Sequence, residues 1–408
     1  MNDRLDKLRN ELNQLLHKQH YPNVKYDHWL ATHQPFHWFA EFYEIIHGQG
    51  GFDVTIGNPP YLEYSKVKSD YRVLQVETMP TNNLYAFVSE RSRKLVHSCG
   101  YVGLILPNSS VSAEKMQTLQ KMFQRSSVCW ISSYAWRPSK LFDGANMLLA
   151  IWIVRQDQGE SCFVTRYHRW HGEFREFLFL TLQYIEATNH VAPFRIPKLP
   201  AELAVTIMDK CRKSAKGKSL LASVSGSSHT LYYFRAVLYW FKVLVKPPIM
   251  EEDGVQTPTG EMKDLSFANK NDRDAALSLM ASNLFALNYV IWSSCQVVNS
   301  PDLMFPICLT ETTKTYGEEL SSLATQLMKD AQARSTLQTR EYSAHGRQFT
   351  MRKQYFYFKE SKSIINEIDK VLAKHYGFTH EELDFIINYD IKYRMGKELD
   401  TGADEDTK

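Results

Sequence analysis

Apolar positions recur at helical spacing at the start of the chain. Over residues 2–20, Leu5, Leu8, Leu12, Leu15 and Leu16 share one face, and Asn2 or Asp3 is placed to cap the start of an amphipathic helix. A second helical segment is predicted over 26–47, rich in aromatics. The period then changes. Residues 52–56 are β-branched or aromatic and lie between Gly51 and Gly57, which predicts a short buried strand. Asn58-Pro59-Pro60-Tyr61 stops it, because two prolines fix φ and remove two backbone donors. A polar loop (62–81), a helix (83–98, ended by Cys99-Gly100) and a buried strand (101–106, ended by Pro107-Asn108-Ser109) follow. Next come a helix over 113–125 capped by Ser112 and strands over 128–134 and 147–154. This alternation predicts an α/β sheet with an antiparallel hairpin at its edge.

From about residue 160 the alternation stops, and aromatics interleave with basic residues, first in a strand-like run over 163–170. Residues 250–273 read as a loop, 275–294 as an apolar helix or strand, 317–338 as a helix and 354–358 as a strand. A helix over 363–376 ends at Gly377. Thr379-His380-Glu381-Glu382 opens another with a capping box, running to about Met395 before Gly396. The acidic tail is expected to be disordered.

Composition narrows the class. The chain has 408 residues, 44% hydrophobic and 23% charged, enough for two or three domains with real cores. A net charge of +3 does not by itself announce nucleic acid. Six scattered cysteines without a C-x-x-C pair suggest neither a zinc site nor disulfides, and fit a reducing cytoplasm. No apolar run approaches the roughly 18 residues of a membrane helix, and the N-terminus is too polar for a signal peptide. His28, His33, His37 and His47 lack metal-ligand spacing, so packing explains them better and no metal is expected. Gly217-Lys218-Ser219 is not a phosphate loop, since Arg212 stands where a glycine is required.

The chemistry concentrates at the end of the 52–56 strand, the end at which α/β sheets bind ligands. The Asn58 side-chain oxygen and the Pro59 carbonyl can each accept a hydrogen from an exocyclic amine, while Tyr61 stacks on the ring that carries it. Holding both hydrogens drives the nitrogen toward sp3 geometry and localises its lone pair, so no strong general base is needed.

Asn-Pro-Pro-Tyr in this setting resembles motif IV of the adenine-N6 DNA methyltransferases. The run from His33-Gln34-Pro35-Phe36-His37-Trp38-Phe39 to Tyr61, and the end of the chain from 375 to 396, resemble the large type IIG-like restriction–modification enzymes of gamma motif order. The resemblance implies a partial methyltransferase-type, Rossmann-like sheet followed by an α+β target-recognition domain. Its expected segments are a helical lead-in (1–48), the C-terminal half of the catalytic domain (49–175), a DNA-recognition region (176–362), C-terminal helices (363–400) and a disordered tail (401–408). It also implies a motif VIII in Lys140-Leu141-Phe142-Asp143-Gly144-Ala145-Asn146, where Phe142 would face the flipped base opposite Tyr61; the plainer reading is a turn whose Phe142 caps the core.

Lys66 and Lys68, with Arg72, read either as part of a solvated loop or as phosphate contacts beside the target base. Residues 209–246 hold eight Lys/Arg against one acid. Arg212, Lys213, Lys216, Lys218, Arg235 and Lys242 are interleaved there with Tyr232, Tyr233, Tyr239 and Trp240: a double-stranded DNA footprint, or a charged surface over an aromatic core.

The family uses S-adenosylmethionine, bound by a strand running into a Gly-rich turn and by an acid on the next strand. Neither signature is found. The resemblance therefore covers the C-terminal part of the enzyme: the chain can hold an adenine but not supply the methyl, and half a sheet leaves an unpaired edge. A second chain supplying the cofactor half would complete it. The alternatives are a non-catalytic, sequence-specific DNA-binding subunit or an inactive fragment and, third, methylation of RNA or of a protein glutamine.

Overall fold

Describable structure, in this computed structural model, covers residues 2–395 except 74, 145, 158, 227, 238 and 345. Ala145, Ser227, Gly396 and the 401–408 tail lie outside the described residues. The chain divides into two units: Met1–Tyr134 with Leu149–Thr165 and Glu186–Ile196, and Ala135–Leu148 with Arg166–Ile185 and Pro197–Lys408.

The first unit opens with α1 (Asn2–His20), on the span its leucines predict. The 26–47 helix is broken. α2 (Tyr26–His33) ends at Gln34, which adopts φ 40° ahead of Pro35; α3 (Trp38–Glu41) and a π-helical turn (Glu44–Gly48) follow. Proline disfavours the helical conformation in the residue before it, which accounts for the break. Trp29 is the buried hub here, ringed by His17, Tyr21, Tyr26 and His33.

β1 (Phe52–Gly57) leads through a long loop to α4 (Leu84–Leu95), and β2 (Val96–Pro107) starts immediately after it. Cys99-Gly100 therefore lies inside a strand rather than ending a helix. The strand bulges here: Phe52 pairs with Val96, but Val54 pairs with Tyr101. A Cβ on Gly100 would fall 2.9 Å from the Phe52 carbonyl oxygen, so the close approach requires glycine. The helix expected over 113–125 is shorter and stepped, with α5 (Ser109–Ser112), a 3-10 turn and α6 (Gln117–Gln124). Then come β3 (Ser127–Tyr134), β4 (Leu149–Gln156), β5 (Ser161–His168) and β6 (Ile185–Glu186).

These strands form one mixed sheet in the order β1-β2-β4-β3-β5-β6. β1 runs parallel to β2, and β4 sits between β2 and β3, antiparallel to both. The hairpin expected at the edge is thus threaded into the middle. Register sorts the side chains into two faces. On one, Val102, Val154 and Cys129 form a row, as do Leu104, Trp152 and Ile131, and all six are buried. Helices α4 and α6 lie on this side, with Phe123 5.2 Å from Trp152 between ring centroids.

The other face is bare. Val54 aligns with Tyr101 and Arg155, and Ile56 with Gly103 and Ile153. Val54 is 54% exposed, Ile56 80%, Tyr101 38% and Ile153 37%. β1, predicted to be buried, is an exposed edge strand. Its apolar residues suit a strand covered on both faces, and among the described residues nothing pairs with its outer edge.

The second unit begins its regular structure with α7 (Glu202–Ala215), then β7 (His229–Phe234), β8 (Val243–Leu244), β9 (Met250–Glu252), β10 (Val255–Gln256) and β11 (Met262–Phe267). Short strands thus occupy much of the segment predicted as a loop. α8 (Lys270–Ala281) and α9 (Asn283–Trp292) form its core, α10 (Leu309–Arg334) packs on α8, and β12 (Thr336–Ala344) with β13 (Arg347–Tyr355) makes a long hairpin. α11 (Lys362–Tyr376) ends at Gly377 with φ 68°, and α12 (His380–Asn388) opens with the predicted Thr379–Glu382 capping box. Asp390, at φ 53°, divides it from α13 (Ile391–Arg394). No single described helix is long and apolar enough to cross a membrane; α8 and α9 qualify only as a pair, bent by 64° and mostly buried.

The two faces predict opposite mutational costs. Leu104→Ala, at a site 2% exposed, should lose about 2–5 kcal/mol. Ile56→Ala should change stability by no more than about 0.5 kcal/mol, the range of an uncovered surface position. Urea denaturation of the two variants measures this; equal costs would show that the second face is already covered.

Candidate functional site

β1 carries the Asn58–Tyr61 segment to the C-terminal end of the parallel β1–β2 pair, where Gly57 aligns with Leu104. Asn58 and Pro60 are exposed, Pro59 is buried and Tyr61 is half-buried. The turn is pinned from behind: the Leu62 amide donates to the Pro60 carbonyl (3.1 Å) and the Leu84 amide, at the start of α4, to the Leu62 carbonyl (2.9 Å).

Tyr61 does not project freely. Its hydroxyl lies 2.5 Å from Asn58 Oδ1 and 3.0 Å from the Ile105 carbonyl oxygen on β2, so its single proton is directed at these two acceptors. Burial pushes the phenol up to about 12, which keeps it a donor at neutral pH. Its ring meets Tyr85 of α4 edge-on, centroids 6.4 Å apart. Tyr85 is held in turn by Met116 Sδ, 3.0 Å from its hydroxyl. Sequence reasoning missed Tyr85, because a helical tyrosine one turn from a cap carries no local signal. The hydroxyl thus occupies the Asn58 carboxamide oxygen.

The loop that closes the end of β2 is equally fixed. Ser110 Oγ accepts from buried Trp152 Nε1 at 2.9 Å, and Gln120 Nε2 donates to the Ser110 carbonyl at 2.8 Å. Lys66 and Lys68 stand exposed on the loop after the turn, beside the 3-10 turn Tyr64–Lys66. That loop is tied to the start of α4 through Asn82, whose Oδ1 accepts from the Ser65 amide at 3.0 Å.

Phe142 belongs to the second unit and is partly exposed there. Its loop is braced by Arg175, which donates to the carbonyls of Lys140 (3.1 Å) and Leu141 (2.6 Å). Arg175 was not singled out from sequence; its position in Phe174-Arg175-Glu176-Phe177 was the available sign.

The basic positions of 209–246 do not form one free patch. Arg212, Lys213, Lys216 and Lys218 gather at the C-terminal end of α7, but Arg212 pairs with Asp209 at 2.7 Å and Lys216 with Glu311 at 2.9 Å. Lys213 and Lys218 are exposed. Arg235 is half-buried at the end of β7, and the Lys242 ammonium lies 5.6 Å from the Phe234 ring centroid. Acids distant in sequence neutralise part of the local excess. The N-terminal histidines serve packing and hydrogen bonding: His37 Nε2 lies 2.7 Å from Asn13 Oδ1 and His33 Nε2 2.9 Å from the Asp70 carbonyl. The described residues hold no cluster of three or more metal-ligand side chains.

Residues 2–142, which span the strand, the turn and the packing behind it, match the Eco57I restriction-modification methylase family model. Over 191 residues the chain is 27% identical to an inferred type II restriction enzyme and methyltransferase of Methanocaldococcus jannaschii, covering 45% of this chain and 15% of that protein. Among solved structures, the type IIL restriction-modification enzyme MmeI in complex with DNA is 10% identical (TM-score 0.44), with 85% of this chain and 57% of that chain covered. The DrdV–DNA complex is 11% identical (TM-score 0.34), with 75% and 47% covered.

Methylase family members imply S-adenosylmethionine, and the described residues do not fit it. On the flank of β1 away from β2 there is no strand among the described residues, so no strand there runs into a Gly-rich turn.

The hydroxyl contact of Tyr61 generates a test. Tyr61→Phe should cost about 0.5–1.5 kcal/mol, the net value of one hydrogen bond. The tyrosinate absorbance of the wild type minus that of Tyr61→Phe should titrate at about 12. The neutral phenol is favoured by folding, so this contribution is complete below about pH 10 and is lost as pH rises through 12. A difference titration centred near 10 would contradict the buried placement.

Proposed function

We propose that this chain holds the target adenine of double-stranded DNA for S-adenosylmethionine-dependent N6 methylation in a restriction–modification system. One observation carries the reading: Asn58 and Tyr61 converge at the C-terminal end of β1, with an exposed carboxamide oxygen beside an aromatic ring. The family match over 2–142 supports it. On binding, the adenine amine replaces the Tyr61 hydroxyl at Asn58 Oδ1 and gives its second hydrogen to the Pro59 carbonyl, while Tyr61 stacks on the flipped ring.

Residues 49–175 carry the methyltransferase part and 176–362 recognition. Lys66, Lys68, Lys213 and Lys218 meet phosphates as they stand, whereas Arg212, Lys216 and Lys242 must exchange present partners to do so and Arg235 is half-buried. The family assignment favours action in the cytoplasm. Because the donor does not fit the described residues, the part that binds it lies beyond them. The same observation favours a second reading, a DNA-binding subunit with no transfer of its own.

Labelled methyl transfer to duplex DNA, with tRNA as competitor, separates these readings. The chain alone should give no label. With the polypeptide encoded directly upstream added, label should appear as N6-methyladenine and fall about 10²-fold in Asn58→Ala, the size of losing one preorganised polar contact. Label in tRNA instead, or label indifferent to Asn58→Ala, would overturn the proposal. DNA binding without label under both conditions would favour the second reading.

A further inference from the structure

A narrow cavity lies within the second unit. It is bounded by Arg169 after β5, by Tyr289 on α9, by Tyr389 between α12 and α13, and by Arg394 at the end of α13. The rest of its described lining is aromatic, aliphatic or thiol, and none of it is acidic. The cavity offers about 20 Å3, where one water takes roughly 10–15 Å3, so it has room for a single small species.

Polar groups around this space lack partners. The hydroxyls of Tyr289 and Tyr389 are buried and make no hydrogen bond. Arg394 is 4% exposed. Its Nε donates to the Tyr239 carbonyl at 3.1 Å, and its guanidinium carbon lies 3.9 Å from the Trp240 ring centroid. Among the described residues its two terminal amino groups have no hydrogen-bond partner, and it makes no ion pair. Arg169 is also buried, held by Asp390 at 2.7 Å and lying 5.3 Å from the ring centroids of both Tyr167 and Tyr239. Burial pushes the Arg394 guanidinium down to about 10; Arg169 adds to that shift, and Asp369 and Asp390 oppose it. Both carboxylates are already engaged. Asp390 serves Arg169, and Asp369 accepts from the amides of Asn283 (3.2 Å) and Leu284 (3.1 Å) at the start of α9. A buried charge without a counter-ion and a buried hydroxyl without a partner each cost more than an ordinary hydrogen bond contributes.

We propose that the cavity binds one monatomic anion, a chloride, held by the Tyr289 and Tyr389 hydroxyls and the Arg394 guanidinium. Water matches the volume but not the charge, since it leaves Arg394 uncompensated. A halide accepts from every one of these donors and supplies the missing negative charge. Phosphate, sulfate and carboxylates are too large for the space. The anion ties α9 to the joint between α12 and α13, so halide stabilises the second unit by mass action. The site needs neither DNA nor a methyl donor.

Thermal unfolding of the whole chain in sodium chloride and in sodium gluconate, at equal ionic strength, measures the effect. Chloride should raise the midpoint saturably and bromide should substitute for it, while gluconate cannot enter. Tyr289→Phe combined with Tyr389→Phe removes both hydroxyls and keeps both rings. It should raise the chloride concentration at half-effect at least about tenfold, the size of losing hydrogen bonds to a charged group. Crystals of the unaltered chain grown in bromide give a readout that does not depend on how the variant folds: an anomalous peak within hydrogen-bond reach of both hydroxyls. Identical unfolding in chloride and gluconate overturns the inference, as does a half-effect concentration that the double variant leaves unmoved. So does a cavity that holds water and shows no bromide peak.

Discussion

The pairing of β1 with β2 is the constraint on which the rest of the first unit depends. It is parallel, with a bulge between Phe52 and Val54 that Gly100 makes sterically possible. The register delivers Gly57 opposite Leu104 and so places Asn58 and Tyr61 where the Ile105 carbonyl can take a hydrogen bond. The same register fixes which side chains face α4 and α6 and which face outward. A shift by one residue would exchange the two sets, burying Ile56 and baring Leu104. The site and the exposed face are therefore two consequences of one strand pairing.

Much of this was legible in the sequence for physical reasons. The leucines of 2–20 sit at a strict helical period, and α1 covers that span. Thr379-x-x-Glu382 is a reciprocal cap that works through local bonds, and the structure forms it. The strand–turn at 52–61 announced itself because glycines and prolines act locally. What sequence could not give was non-local. β4 falls between β2 and β3 because of pairing, which no window of residues encodes. Strands β9 to β11 are short and rest on distant partners, so 250–273 read as a loop.

Burial and charge were the two properties most altered by the third dimension. An apolar run predicts that a strand ought to be covered, yet among the described residues Ile56 is left 80% exposed. The eight basic residues of 209–246 read as a local excess, yet Glu311 and Asp209 take up two of them. Tyr61 was expected to offer its ring, and its hydroxyl instead engages the neighbouring asparagine. That contact fixes the orientation of the carboxamide.

Hydrogen exchange of the chain by itself tests the central claim most directly. Amides of β1 over 54–57, held from one side only, should exchange at least about 10²-fold faster than those of β2 over 102–106, which is paired on both sides. Equal protection of the two strands would mean that β1 is already covered, and would contradict the account of an incomplete sheet.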